Sequence, residues 1–285
     1  MVKVEIGLRQ AKQLHNMSQD ARICFIAEGL PIILESANGF WAAAQKLPKN
    51  PRESNVLSGY AQEEAAKILI LLDLVRCPPK LASKYVKNTV KCFYNHLARL
   101  LYADASHWRP TNIEELRSYV DSNRKAHYLE GYAGEYIVPN WNVALRESQL
   151  YADVEMLENG DSQWHAPIGY GDLANGFVPA VLMVVNALSA LGVFSVSGLV
   201  GAAEIFGQIS FADNVSASEH DKLIDALLSR LNSENTIPAS ATQKNLTTAY
   251  HGWQLPMYDF DFKLIGVPID ELERERNALM SSELW

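Results

Sequence analysis

Three groups of residues in this sequence carry side chains whose types and spacing can do chemistry. The first is Glu63-Glu64-Ala65-Ala66-Lys67. On a helical wheel, Leu57, Ala61, Ile68, Leu71, Leu72 and Val75 share one face, and Glu64 falls in its middle with Glu63 and Lys67 at the flanks. A carboxylate on an apolar stripe is costly to desolvate unless a cation or donor meets it. Lys67, three residues on, can be that cation. Glu64 and Lys67 thus read as part of a polar site or as an ion pair that fixes packing. Glu63 taken alone reads as a solvated surface residue. The second group is Asn95-His96-Leu97-Ala98-Arg99. His96 lies on the border of an apolar face made by Tyr85, Val86, Val90, Phe93, Leu97, Leu100 and Leu101, and Arg99 lies one turn further along that border. An imidazole exchanges a proton near neutral pH, and a guanidinium holds a phosphate, so the two can address one substrate group. The bland alternative is a boundary histidine bonded to a neighbouring helix. The third group is Arg146, Tyr151 and Asp153, which either line the same site or form a structural network around a buried tyrosine ring.

These groups need helices to position them. The spacing predicts a helix over about 18–45 interrupted at Gly29-Leu30-Pro31, a second over about 53–76 stopped by Pro78-Pro79, and a third over about 81–103. Thr111 is placed to cap a helix over about 113–127. The stretch 131–139 reads as a loop, and a short segment from Trp141 leads to Tyr151–Glu155 and a turn at Gly160. A polar helix is expected over about 218–231. The alternation in Tyr258-Asp259-Phe260-Asp261-Phe262 fits a short strand or edge, and the charged tail beyond it reads as exposed.

The totals bound the possibilities. Of 285 residues, 48% are hydrophobic and 20% charged, which fits a globular chain and excludes wholesale disorder. The net charge of −8 provides no global pull toward nucleic acid, so any RNA contact must use a local basic patch. Cys24, Cys77 and Cys92 match no zinc or redox spacing and read as reduced thiols. The first residues include Glu5, Arg9 and Lys12 without a long apolar core behind them, unlike a secretory signal, and the expected compartment is the cytoplasm. His107, His127, His165 and His251 form no ligand pair with a carboxylate, no phosphate-binding glycine loop is present, and neither metal nor cofactor is expected. The uncharged stretch 177–203, FVPAVLMVVNALSALGVFSVSGLVGAA, is long enough to span a bilayer. Its proline, asparagine, serines and glycines, and its acidic flanks Asp172 and Glu204, favour a buried or interface helix pair over membrane insertion.

Three segments in order resemble the AbiV family of bacterial abortive-infection proteins, part of the broader HEPN group. Glu63-Glu64-Ala65-Ala66-Lys67 resembles the family's EExxK. Asn95-His96-Leu97-Ala98-Arg99 resembles its histidine followed by a basic residue. Arg146-Glu147-Ser148-Gln149-Leu150-Tyr151-Ala152-Asp153, then Gly160, Trp164 and Pro167, resembles its R-x-x-x-L-Y-V-D segment with the glycine, tryptophan and proline that follow. The resemblance covers about residues 10–170, leaving an apolar segment and polar helix at 171–231 and an extension at 232–285.

What the resemblance implies is an all-α fold, a HEPN-like helical bundle with a helical C-terminal extension and little β, which dimerises and acts in defence against phage. Many such proteins are metal-independent ribonucleases. In that role His96, Arg99, Glu64 and Lys67 would be catalytic, and Arg146, Tyr151, Asp153 and Glu63 would bind substrate. The chain departs from the group's arginine–histidine signature, which has four to six residues between the two. Arg99 to His107 is too long, Arg124 to His127 too short, and Arg9 to His15 fits only at the extreme N-terminus. The alternatives are a non-catalytic dimer that binds a phage or translation component, and a membrane-associated effector built on 177–203.

Overall fold

A computed structural model describes residues 7, 12–132, 134–156, 160–169, 177–211 and 215–282. The chain is mainly α-helical with little β, as the sequence predicts. Its organising element is α2 (Pro51–Arg76), which packs against α1 (Gln19–Ala44), α3 (Pro79–Tyr94), α4 (His96–Asp104), α6 (Trp141–Leu150), α7 (Ala180–Ala190) and α8 (Val196–Phe206). A helix surrounded in this way is buried all round rather than along one stripe. From Ala65 to Arg76 only Lys67 is not fully buried. One hydrophobic core takes in residues from Leu14 to Val120 and from Val181 to Phe262. The expected boundary near residue 170 falls at the edge of residues outside the description.

Several expected elements change form. Helix α1 is continuous through Pro31. Proline removes one backbone donor, but Pro31 is exposed, so the carbonyl it leaves without a partner can be hydrated. The expected third helix is two, broken at Asn95, which ends α3 and caps α4. Helix α5 (Ile113–Asn123) is capped by Asn112, not Thr111, and is shorter than expected. The chain then enters a hairpin, β1 (His127–Glu130) paired antiparallel with β2 (Tyr136–Pro139), where a loop was expected. A second hairpin, β3 (Asp153–Met156) with β4 (Ser162–His165), turns at Gly160 as expected. Both hairpins are surface attachments to the helical body.

The apolar stretch forms two helices, each of 11 residues and too short to span a bilayer. Gly192, at φ +79°, makes the turn between them. A side chain at Gly198 would meet the Gly192 and Val193 carbonyl oxygens at 2.4 and 2.6 Å, so this close return requires glycine. Asn186 of α7 exchanges side-chain hydrogen bonds with Asn38 of α1 at 3.0 and 3.1 Å, which satisfies the polar group inside the apolar run. Among the described residues, one helix is long and apolar enough to cross a membrane, and it is α1.

Helix α9 (Ala217–Ser233) starts with a full capping box from Ser216 and Glu219. Helix α10 (Gln243–Gly252) was not expected and starts likewise from Thr242 and Asn245. The stretch 258–262 is not a strand. Its alternation is nonetheless real: Tyr258, Phe260 and Phe262 are buried, while Asp259 and Asp261 pair with Arg117 and Arg124 at 2.9 and 3.2 Å. Among the described residues no neighbouring strand offers a ladder there, so the period of two records burial without β pairing. The exposed helix α11 (Ile269–Ser282) packs on the first hairpin.

Inside this body sits a closed polar network. Asp73 accepts from Arg76, from the Tyr102 hydroxyl at 2.8 Å and from the Met257 backbone N–H at 2.6 Å. Burial pushes the Asp73 carboxyl up, against the nearby Arg76 charge and these donors. The Arg76 guanidinium lies over the Trp253 and Phe206 rings at 4.5 and 5.3 Å, donates to the Gln254 carbonyl at 2.9 Å and reaches His220 Nε2 at 3.2 Å. Burial, then the charges of Arg76 and Arg109, hold His220 well below the usual histidine range. Its ring is therefore neutral, with Nε2 as acceptor. This network fastens α2 to α9 and to the 253–257 segment.

Candidate functional site

Ten residues before Asp73 on α2 stands the second buried carboxylate, and it is Glu63, not Glu64. Glu63 is 3% exposed. Its Oε1 accepts from Arg146 Nε of α6 at 2.7 Å. Its Oε2 lies 2.8 Å from His96 Nδ1 and 3.2 Å from Arg99 Nη1, both on α4. Burial alone would raise the Glu63 pKa. The Arg146 hydrogen bond, the Arg99 charge and the His96 bond outweigh it, and the group is held below the usual carboxylate range. Glu63 is thus an anion that gathers residues from two other helices.

Each helix is locked where it meets the site. Asn95 ends α3 and begins α4, its side chain accepting from Ala98 N at 3.0 Å. That cap puts His96 at the first helical position and Arg99 three residues on, over Glu63. Helix α6 is held at both ends. Buried Asn140 caps its start and also donates to the Asn123 and Lys125 carbonyls at 2.7 and 2.8 Å. Arg52, in the first turn of α2, donates to the Gln149 and Leu150 carbonyls at its other end, at 3.0 and 3.3 Å. A cation at a helix C-terminus also meets the negative end of the helix dipole. Arg146 therefore reaches Glu63 from a helix anchored to the start of Glu63's own helix.

The tautomer of His96 follows from its neighbours. An ionised carboxylate can only accept, so His96 Nδ1 carries the hydrogen that faces Glu63. The approach of Arg99 Nη2 to Nδ1, at 2.8 Å, then cannot also be a hydrogen bond. It is a side-by-side placement of two donors on one acceptor. Nε2 is then the acceptor, and Arg99 Nη2 lies 3.4 Å from it, a long contact. The imidazole is 54% exposed, whereas the Arg99 and Arg146 side chains are 10% and 17% exposed. A half-exposed, carboxylate-held imidazole can take a proton from a bound group that displaces this long contact. Two guanidiniums on one carboxylate leave one positive charge in excess, so the cluster can receive an anion.

The structure brings together Glu63, His96, Arg99 and Arg146 of the residues singled out by sequence. Glu64 and Lys67 pair with each other at the edge, with the Lys67 ammonium 5.2 Å from the centre of the Phe93 ring. The expected order of the two glutamates is thereby reversed, because α2 has no single apolar face on which Glu64 could be central. Tyr151 is 58% exposed at the end of α6, and Asp153 accepts from its neighbour Val154 N at 2.8 Å. Neither residue joins the cluster, and the buried tyrosine network considered from sequence is absent. Arg9 lies outside the described residues. Among the described residues, no group of three or more His, Cys, Asp or Glu is placed to hold a metal ion.

Beside the cluster opens a pocket of about 400 Å³ between α2, α4 and α6, with Glu63 and Arg146 in its wall. Sequence reasoning missed its other residues, among them Gln62, Trp141, Asn142 and Gln149. The signal available was the polar spacing along 141–149, which read only as a short segment. Fold and site together define a mainly α-helical protein with a carboxylate-anchored histidine–arginine cluster. No family model, no curated protein and no solved structure matches the chain.

Proposed function

We propose that the protein is an AbiV-like anti-phage factor that cleaves RNA without a metal ion, acting as a homodimer in the bacterial cytoplasm. The observation that carries this reading is the Glu63–His96 pair, with a buried carboxylate at 2.8 Å from Nδ1 of a half-exposed imidazole. His96 Nε2 takes the proton of a ribose 2′-hydroxyl as O2′ bonds to phosphorus. The P–O5′ bond breaks, its electron pair stays on O5′, and a proton from solvent neutralises it. The imidazolium then returns its proton to solvent. The products are a 2′,3′-cyclic phosphate and a free 5′-hydroxyl. Arg99 and Arg146 stabilise the charge that develops on the phosphate. Glu63 fixes the tautomer and orientation of His96. Lys67 and Glu64 buttress the edge of the site.

The test is incubation of purified protein with single-stranded RNA, followed by analysis of the new 3′ ends. The expected result is cleavage with cyclic phosphate termini, lost in His96→Ala. RNA left intact at high concentration by folded wild-type protein that still protects cells would sink the nuclease reading. A second reading is a non-catalytic binding protein aimed at a phage or translation component. It draws support from the hairpin aromatics Tyr132, Tyr136 and Trp164, which are 96%, 64% and 79% exposed. Under it, His96→Ala spares protection and substitutions at these three residues abolish it.

A further inference from the structure

The pocket beside the cluster has a chemistry of its own. Its wall on α6 carries Trp141, Asn142 and Gln149, one helical face at positions 1, 2 and 9 of the helix, and its wall on α2 carries Tyr60 and Gln62. The side-chain amides of Gln62, Asn142 and Gln149 are half-buried and have no hydrogen-bond partner among the described residues. Such partly exposed amides are left to water, which a ligand with matching groups can displace. Three of them around one cavity constitute unused, directional donor–acceptor capacity. Trp141 lines the pocket and is 55% exposed, so much of its indole surface is available to a ligand. The volume lies within the roughly 300–1,000 Å³ typical of small-ligand sites. Arg146 borders both the pocket and the Glu63 cluster, so one ligand can occupy the cavity and reach the cationic site.

Planar faces, mixed donor–acceptor edges and an adjoining excess positive charge are the complement of one chemical class, a single unstacked nucleotide. Asparagine and glutamine amides match the paired donor and acceptor on a base edge, and an indole stacks on its face. We infer that this pocket receives one nucleobase, read by Asn142, Gln149 and Gln62 and stacked on Trp141, with the attached phosphate at Arg146. This rests on the RNA reading and gives it a substrate: a single-stranded nucleotide splayed out of its stack, with the scissile phosphate on the cationic side of the base pocket. Duplex RNA, whose bases are stacked and paired, is excluded from the pocket.

The experiment is calorimetric titration of the full chain with each of the four nucleoside 3′-monophosphates, and with ribose 5-phosphate as a probe that lacks a base. The expected result is that at least one nucleotide binds roughly tenfold or more tightly than ribose 5-phosphate. Trp141→Ala weakens that nucleotide by about fivefold or more and leaves ribose 5-phosphate unchanged. Asn142→Ala and Gln149→Ala act in the same direction and also shift the preference among the four bases. Thermal melting of each variant confirms that it is folded. Equal affinity for all five probes, or loss of ribose 5-phosphate binding in step with the nucleotides, overturns the base pocket. RNA cleavage by the same preparations separates the two ideas. Cleavage without base-dependent binding removes the pocket and leaves the nuclease. Base-dependent binding without cleavage keeps the pocket and removes the nuclease.

Discussion

Helix α2 carries two buried carboxylates with arginine partners, and they differ in one respect that decides what each can do. Asp73 is enclosed: its arginine comes from its own helix, its remaining donors from Tyr102 and Met257, and the histidine beside the arginine is sealed against Phe206 and Phe211. Glu63 collects its arginines from two other helices, and its histidine opens to solvent. The same residue types make a fastener where water is shut out and a solvent-accessible imidazole where one member is left outside. A buried histidine forced neutral has no substrate to meet, whereas His96 has both an orienting carboxylate and a half-exposed ring. Composition alone does not separate these two groups. Access does.

The sharpest way to break the comparison is Arg76→Met, which leaves Asp73 buried without its cation. We expect a loss of about 3–5 kcal/mol in urea unfolding. A loss below about 1 kcal/mol would mean that the closed network is not a fastener. The matching change on the open side is His96→Ala. It is expected to reduce RNA cleavage by roughly a hundredfold or more and to change stability by less than about 1 kcal/mol, as surface substitutions do. A large stability loss from this variant would place His96 with the structural histidine and erase the contrast.

Glu63→Gln lies between these limits. Removing the shared acceptor charge is expected to lower stability by about 1–3 kcal/mol and to reduce cleavage, because the tautomer of His96 is then unset. Its pH dependence has a defined sign. The folded Glu63 pKa is depressed, so the stabilisation is fully present above the ordinary glutamate range and is lost as pH falls through the folded value. The wild type and Glu63→Gln should therefore differ at neutral pH and converge in acid when unfolding is followed across that window. A constant difference at every pH would remove the electrostatic role. The smallest effect belongs to Glu64→Gln. Its partly exposed pair with Lys67 is worth less than about 1 kcal/mol, and unfolding and cleavage should both stay close to wild type. A hundredfold loss of cleavage would restore Glu64 to the centre of the site.

Much of the helical framework was legible because proline punctuates it: Pro51 stands at the start of α2, and Pro78-Pro79 marks the junction of α2 and α3. The break at Asn95 and the turn at Gly192 were not read from the sequence. His96, Arg99 and Arg146 were legible as residue types, and the structure unites them. The order of Glu63 and Glu64 was not. A wheel assumes one buried face, and α2 is buried on nearly every side, a property that belongs to six neighbours rather than to the 26 residues of the helix itself. The hairpins were missed because four-residue strands leave little periodicity. The sealed network was invisible for a related reason: Asp73 and Arg76 look like an ordinary helix-surface pair until α9 and the 253–257 segment cover them. Tyr258–Phe262 shows the converse, a strand-like pattern with no partner strand.

Asn95 has a consequence for how this chain can change over evolutionary time. Because it ends one helix and caps the next, it resets helical phase at that point. An added or lost residue within 79–94 alters the length of α3 but leaves His96 and Arg99 at the same angular positions around α4. The same change between His96 and Arg99 swings the guanidinium by about 100° around the axis and off the carboxylate. One asparagine thus insulates the histidine and arginine from insertions upstream while leaving them intolerant of any insertion between them.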